Sequence, residues 1–333
     1  MLDDRKSAIL RAVVRTYIET AQPVGSSHVV EASDVGVSPA TVRNDMTVLE
    51  REGYLTQPHT SAGRIPTEKG YRFFVDQLPP GELGPNQTRQ VRSFFSHAHG
   101  ELEAMLQSTS RMLSQLTSTT AVVIGEPQEA STFRSVQLVS LGPNTYLVVA
   151  VTSSGAVLKR TVEHAAAVTD DQLAAAGKAV AAAVVGARAG SVIAPVPPIG
   201  DPVADAVSID AVAALREAVA DDGTKVFVEG AARMADAFDA VPTLRQVLGL
   251  LEQQVAVVSL LNDVLDRGLT VAIGSETGVE PLAECALVVA PYVVGGEQAG
   301  TIAVLGPARM NYPETLAAVA VVSSRLSRLL TEG

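Results

Sequence analysis

The 333 residues are 47% hydrophobic, enough for two or three domains with cores of their own. With 25 Lys and Arg against 36 Asp and Glu, the net charge is −11. That balance argues against a protein that coats nucleic acid regardless of sequence, and leaves a local, shape-specific site open. The one cysteine, Cys285, excludes a disulfide framework and a Cys-rich zinc module and fits a reducing compartment. No apolar run reaches 18 residues and no basic-then-apolar leader opens the chain, so a cytoplasmic protein without a membrane span is expected.

Residues 4–20 carry Ile9, Leu10, Val13, Val14, Tyr17 and Ile18 at helical spacing, and Gln22-Pro23-Val24-Gly25 ends that helix. Ser26-Ser27 opens a short second helix holding Val29 and Val30, and Gly36 makes a turn. Ser38 followed by Pro39 is helix-start chemistry. The hydroxyl accepts a first-turn N–H, and proline lacks the N–H that would go unpaired there. The third helix runs to about Glu52 with Val42, Met46 and Leu49 facing inward. Helix, short helix, turn and helix make a helix-turn-helix. The outward first turns of the third helix present Ser38, Ala40, Thr41, Arg43 and Asn44. Free N–H groups at a helix start suit phosphate, Arg pairs with guanine and Asn with adenine.

Tyr54–Gln57 and Arg64–Pro66 read as two short strands around a loop, a wing behind the third helix. Its tip offers His59, Thr60, Ser61 and Arg64 to phosphate or the minor groove. Thr67 then caps a fourth helix carrying Tyr71, Phe73, Phe74 and Val75. Residues 1–78 hold nine basic against ten acidic side chains, yet across 57–72 Arg64, Lys69 and Arg72 outnumber Glu68. The candidate DNA-binding residues are therefore Ser26, Ser27, Ser38, Pro39, Thr41, Arg43, Asn44, His59, Thr60, Ser61 and Arg64. Such shapes also serve protein contacts; the polar helix face and the basic wing favour DNA.

Pro79-Pro80-Gly81 with Gly84-Pro85 reads as a linker. Residues 86–117 are expected as one long amphipathic helix through Val91, Phe95, Leu102, Met105, Thr109, Met112 and Leu116. Ala121–Gly125, Val136–Leu141 and Tyr146–Val151 read as strands of one sheet. A block of different character follows: a strand at Ala156–Val162, an Ala-rich helix at Asp170–Ala187, a Pro-rich loop to Pro202, a helix at Ile209–Val219 and a strand at Lys225–Val228. One helical stripe runs from Thr243 to Gly268. Strands resume at Leu269–Gly274, Ala286–Ala290 and Thr301–Leu305, and an amphipathic helix at Pro313–Leu330 closes the chain. Strands, a foreign block, then strands again predict a single helix-flanked sheet interrupted by an inserted domain; two tandem α/β domains are the alternative.

No constellation for catalysis emerges. His97 and His99 stand two apart on a helix and point in different directions, so no metal is expected there. Gly295-Gly296 and Gly306-Pro307 lack the context of a phosphate-binding loop and read as turns. Asp170-Asp171 and Asp221-Asp222 read as helix-start and loop charges. Arg309 reads as a residue bracing its turn, with an interface role as the alternative. The chain is expected to be no enzyme and to need no cofactor.

Val37 to Met46, Leu49-Glu50, Gly53-Tyr54-Leu55, His59 to Thr67 and Lys69-Gly70-Tyr71-Arg72 closely resemble HrcA, the bacterial heat-inducible repressor family. Ile273-Gly274-Ser275-Glu276 and Gly300 to Tyr312 resemble it as well. The resemblance implies an α+β multidomain chain. Its parts would be a winged helix-turn-helix over 1–80, a GAF-like α/β sheet domain from 86–153 and 241–333, and a dimerisation domain inserted at 154–240. It further implies a homodimer that represses chaperone operons at an inverted-repeat operator, CIRCE, in double-stranded DNA, and that the GroEL chaperonin keeps active. A GAF-like domain that takes a small metabolite as the control signal is the alternative.

Overall fold

The computed structural model describes residues 2–33, 35–59, 62–79, 81–97, 102–125, 131–153, 155–191, 195–222, 224–233, 241–268 and 270–332. Ile9, Leu10, Val13 and Val14 line one side of α1 (Asp4–Thr20) and are fully buried against α2 (Ser26–Ala32) and α3 (Pro39–Arg51). Ser38 caps α3, its hydroxyl accepting the Thr41 N–H at 3.3 Å, and Pro39 takes the first helical position. Arg5 of α1 grips the buried Asp45 of α3 at 2.7 Å, which fixes the angle between the two helices.

Behind α3, β1 (Leu55–Thr56) pairs antiparallel with β2 (Ile65–Pro66). Val24 adds a third edge by exchanging two backbone hydrogen bonds with Arg64, both 2.9 Å. This crossing needs a bare Cα at Gly63, where a Cβ would lie 2.7 Å from the Val24 nitrogen and overlap the Val24 carbonyl. Gly63→Ala is expected to force the wing off Val24 and cost about 1–3 kcal/mol. Chemical denaturation checks it; an unchanged midpoint and slope would contradict the packing described. Thr67 caps α4 (Glu68–Val75), completing a winged-helix unit.

Two helices follow, α5 (Pro85–His97) and α6 (Leu102–Thr117), with Val91, Phe95, Met112 and Leu116 buried as the stripe requires. The junction at 98–101, on which a single long helix depends, lies outside the described residues. β3 (Thr120–Ile124) leads into a separate unit built from β4 (Phe133–Ser140), β5 (Thr145–Thr152), β6 (Val157–Glu163), α7 (Asp170–Val184) and α8 (Pro202–Asp222). The chain then returns through β7 (Val226–Glu229), α9 (Val241–Glu252), α10 (Gln254–Asp266), β8 (Val271–Ile273), β9 (Cys285–Val294), β10 (Glu297–Pro307) and α11 (Tyr312–Glu332).

The main sheet is antiparallel throughout, in the order β7-β3-β10-β9-β8, with Ala121 opposite Val304. Ala121, Val123, Ile302 and Val304 pack with α6 and α11, in a core continuous with the winged helix. Val122, Ile124, Ala303 and Leu305 pack with α9 and α10 on the other face. With both faces covered, β3 is buried at every position and reads as a continuous apolar run.

Three sequence expectations are corrected. Val136–Leu141 and Tyr146–Val151 do not share the sheet of β3; they form a second sheet, β4-β5-β6. The reason is visible in β5, which alternates half-buried and buried residues because only one face is covered, by α7 and α8. The second core accordingly runs from Phe133 to Val219, while β7 pairs with β3 in the main sheet. The inserted block therefore starts before 154 and ends before 240. Finally, the stripe from Thr243 to Gly268 is two helices bent by 97°, because Gln253 takes a non-helical ψ of 88° between them. Among the described residues, no single helix is long and apolar enough to cross a membrane.

Candidate nucleic-acid interface

The inward side of α3 is fully committed. Val42 and Leu49 are at 0% exposure, Met46 at 4%, and Asp45 is held by Arg5. Its outward side is open. Ser38, Pro39, Arg43 and Asn44 are exposed, and Thr41 is half-buried with its hydroxyl 3.0 Å from that of Ser38. Among the described residues, neither the Arg43 guanidinium nor the Asn44 amide has a hydrogen-bond or ion-pair partner. A donor fork and an amide are thus left unsatisfied by protein, one turn from a helix N-terminus.

A cleft of about 180 Å³ separates this face from the wing, lined by Ser26, Arg43, Met46, Gly63 and Arg64. It brings together three of the expected residues. Ser26 is buried there, whereas Ser27 is exposed and lines a different hollow beside His28 and Thr20. His59 is exposed on the wing; Thr60 and Ser61 lie outside the described residues.

The basic character expected of the wing is mostly consumed within the protein. Arg64 is turned back onto α3, with its Nε donating to the Glu50 carboxylate at 2.9 Å and only 16% of its side chain exposed. Lys69 donates to the Glu52 carbonyl at 2.9 Å and sits over the Tyr54 ring, 4.2 Å from its centre. Arg72 faces the main sheet. Counting charges along the sequence could not separate a cation offered to solvent from one already paired.

Arg72 is the centre of a junction between the winged helix and the main sheet. Its guanidinium donates to both carboxylate oxygens of Glu276 and to the Val271 carbonyl at 2.7 Å. One turn earlier, the Glu68 carboxylate accepts the Ser275 N–H at 3.1 Å and the Ser275 hydroxyl at 2.6 Å. Gly274, at a φ of +53°, turns the backbone so that Glu68 can reach. Burial pushes the Glu276 carboxyl up, but hydrogen bonds from Arg72 and the Ile273 N–H, with the charge of Arg72, more than offset it. Its pKa therefore lies below the ordinary 4.5. Tyr71 and Tyr312 pack beside the junction with ring centres 6.1 Å apart, and the Tyr312 hydroxyl donates to the Ala308 carbonyl at 2.6 Å.

Residues 103–316 match the family model described as the HrcA protein C terminal domain, more than half of the chain. The heat-inducible transcription repressor HrcA of Nocardia farcinica is 41% identical over 340 residues, covering 99% of this chain and 97% of its own. Those of Nocardioides sp. and Thermobifida fusca are 39% and 38% identical, again over nearly the full length of both chains. The chain belongs to the HrcA family of heat-inducible transcription repressors. A solved structure described only as a hypothetical protein has the same fold, with a TM-score of 0.68 at 22% identity over 100% of this chain and 99% of that one.

Within this HrcA family member, the resemblance strings acquire physical roles. Asn44-Asp45 divides its work between the outward face and the lock to α1, and Glu50 anchors Arg64. Ile273 to Glu276 supplies the far half of the Arg72 junction. Sequence reasoning quoted Glu50, Ser275 and Glu276 without assigning them a task. Only the register of Glu68 and Arg72, one helical turn apart and both turned toward one loop, reveals it.

Proposed function

We propose that this protein represses transcription by binding an inverted-repeat operator, of the CIRCE kind, as a homodimer that the GroEL chaperonin keeps competent. The observation that carries the DNA reading is the outward face of α3, where Arg43 and Asn44 stand unengaged beside the capped N-terminus while the inward face is locked. The full-length HrcA relatives, named as transcription repressors, support it. The five-stranded unit takes the place of the GAF-like domain and the β4-to-α8 unit that of the dimerisation domain. The open face of the latter carries Leu147, Val149 and Val151, half-buried, beside Val139 and Val157 at 43% and 41% exposure. A second copy covering that apolar face would set two α3 helices on one duplex, as a palindromic site requires. The test is a titration of fluorescent duplexes. Preference for the inverted repeat over a scrambled duplex supports the reading, and equal affinity for both removes it.

The half-buried Arg64–Glu50 pair changes what is expected of the wing. Arg64→Ala and Glu50→Ala should weaken operator binding by similar factors, since each frees the wing from α3. Were Arg64 to hold a phosphate, Arg64→Ala alone would weaken binding and would lower the salt slope by about one unit. Affinity measured over a salt series for both variants decides between them.

Heat sensitivity has a physical source in the inserted unit. Six of the eighteen buried residues in its core cluster are alanine, and small side chains each bury little area, at about 25 cal/mol per Å². On mild heating, operator binding is expected to fall before the winged helix melts, with the dimer lost in the same step and chaperonin restoring both. Binding, oligomeric mass and circular dichroism followed through one temperature series check this. Operator binding that persists to global unfolding would contradict it.

A further inference from the structure

The stretch after α7 runs back along the start of β4. Gly186 N–H donates to the Phe133 carbonyl at 2.8 Å, Phe133 N–H to the Ala187 carbonyl at 3.0 Å and Ala189 N–H to the Ser131 carbonyl at 2.8 Å. Thr132 and Arg188 are thereby antiparallel bridge partners. Strand alternation sends Phe133 and Ala189 into the core, at 1% and 3% exposure. The same alternation places Thr132, Arg134 and Arg188 on the opposite face. Arg134 stands at a bulge in the β4–β5 ladder, two residues from Thr132, and both arginines are exposed.

Both arginines line a cleft of about 410 Å³ whose far wall is the β9–β10 hairpin, with Glu297 and Gln298, and the end of α11, with Thr331. Among the described residues neither guanidinium has an ion-pair partner, and Glu297 pairs with neither. Arg5, Arg64, Arg72, Arg111 and Arg160 each hold an acid, whereas Arg134 and Arg188, like Arg43, do not among the described residues. Two exposed guanidinium groups on one face repel weakly through solvent, and an anion between them relieves that repulsion. The volume falls within the range of small-molecule sites.

We propose that this cleft binds a small phosphate monoester, its dianionic head held by Arg134 and Arg188 and its hydroxyl-bearing remainder facing Glu297 and Gln298. Two guanidinium forks match the charge and geometry of a phosphate dianion. The Glu297 carboxylate accepts from hydroxyl donors and repels a second anionic group, which selects sugar phosphates and nucleoside monophosphates over polyanions. A ligand there would touch both the inserted unit and the main-sheet hairpin and so tie them together. The site is remote in sequence from the α3 face and stands independently of the DNA reading.

The experiment is calorimetric titration of the full chain with inorganic phosphate, AMP and glucose 6-phosphate, using adenosine and glucose as uncharged controls. At least one phosphate ester should bind while its dephosphorylated counterpart does not. R134Q/R188Q should lose binding by about tenfold or more, R134K/R188K should lose less, and Arg43→Ala should bind as the parent does. Melting curves verify that each variant is folded. The proposal is overturned if no phosphate ester binds the parent chain, if R134Q/R188Q binds as well as the parent, or if Arg43→Ala abolishes binding.

Discussion

Arg43→Ala and Asn44→Ala are each expected to weaken operator binding by about 1–3 kcal/mol, between several-fold and a hundredfold. Both side chains are exposed, without protein partners, and one turn past the Ser38 cap. Alanine is the best helix former, so neither change should disturb α3 itself. The loss should also be selective. Arg43→Ala should relax the requirement for one guanine and Asn44→Ala for one adenine, because each residue type offers a bidentate match to that base alone. Affinities measured against a panel of single-base operator variants test this. Unchanged affinity in both variants, with the melting curve intact, would show that α3 does not read the bases.

Breaking the Arg72 junction should have the next largest effect, on coupling between units. Arg72→Ala leaves the Glu276 carboxylate with one donor and the Val271 carbonyl without the guanidinium. The expected loss of stability is about 1–2 kcal/mol, near the lower end for hydrogen bonds to charged groups because both side chains keep some solvent contact. Arg72→Ala, Glu276→Gln and the double variant form a cycle whose coupling should fall at about 0.5–3 kcal/mol. The pH dependence follows from Glu276. Its folded pKa lies below 4.5, so its contribution is fully present above that value and is lost as pH falls through the folded pKa. In Glu276→Gln the stability lost over that acidic window should be smaller than in the parent chain. Equal acid sensitivity of the two proteins, or a coupling near zero, would mean that the junction does not hold the winged helix in place.

Local chemistry was the most legible part of the sequence. Ser38-Pro39, Thr67 and the apolar spacing of Ile9 to Val14 each declare themselves within one helical turn, and the caps and buried face follow. Sheet membership was not legible, because it is set by what covers a strand rather than by the strand. Ala121–Gly125 and Tyr146–Val151 both read as apolar runs, yet the strand formed by the first, β3, is buried on two faces and the second on one. The bend at Gln253 escaped because nothing in the side chains of an apolar stripe marks one non-helical ψ. At the candidate interface, Arg43 and Asn44 were legible as outward residues, but the pairing of Arg64 with Glu50 was not. Fourteen residues separate them, and the wing has to fold back before they meet.

The most direct test of the central claim is a base-resolved footprint of the purified full-length protein on its operator. A dimer that places α3 of each protomer in the major groove should protect two equivalent blocks related by the inverted-repeat symmetry, a whole number of helical turns apart, or about 10 base pairs per turn. The two blocks should appear together at one protein concentration and disappear together in Arg43→Ala. A single protected block, or protection spread evenly along the duplex without regard to sequence, would contradict the account.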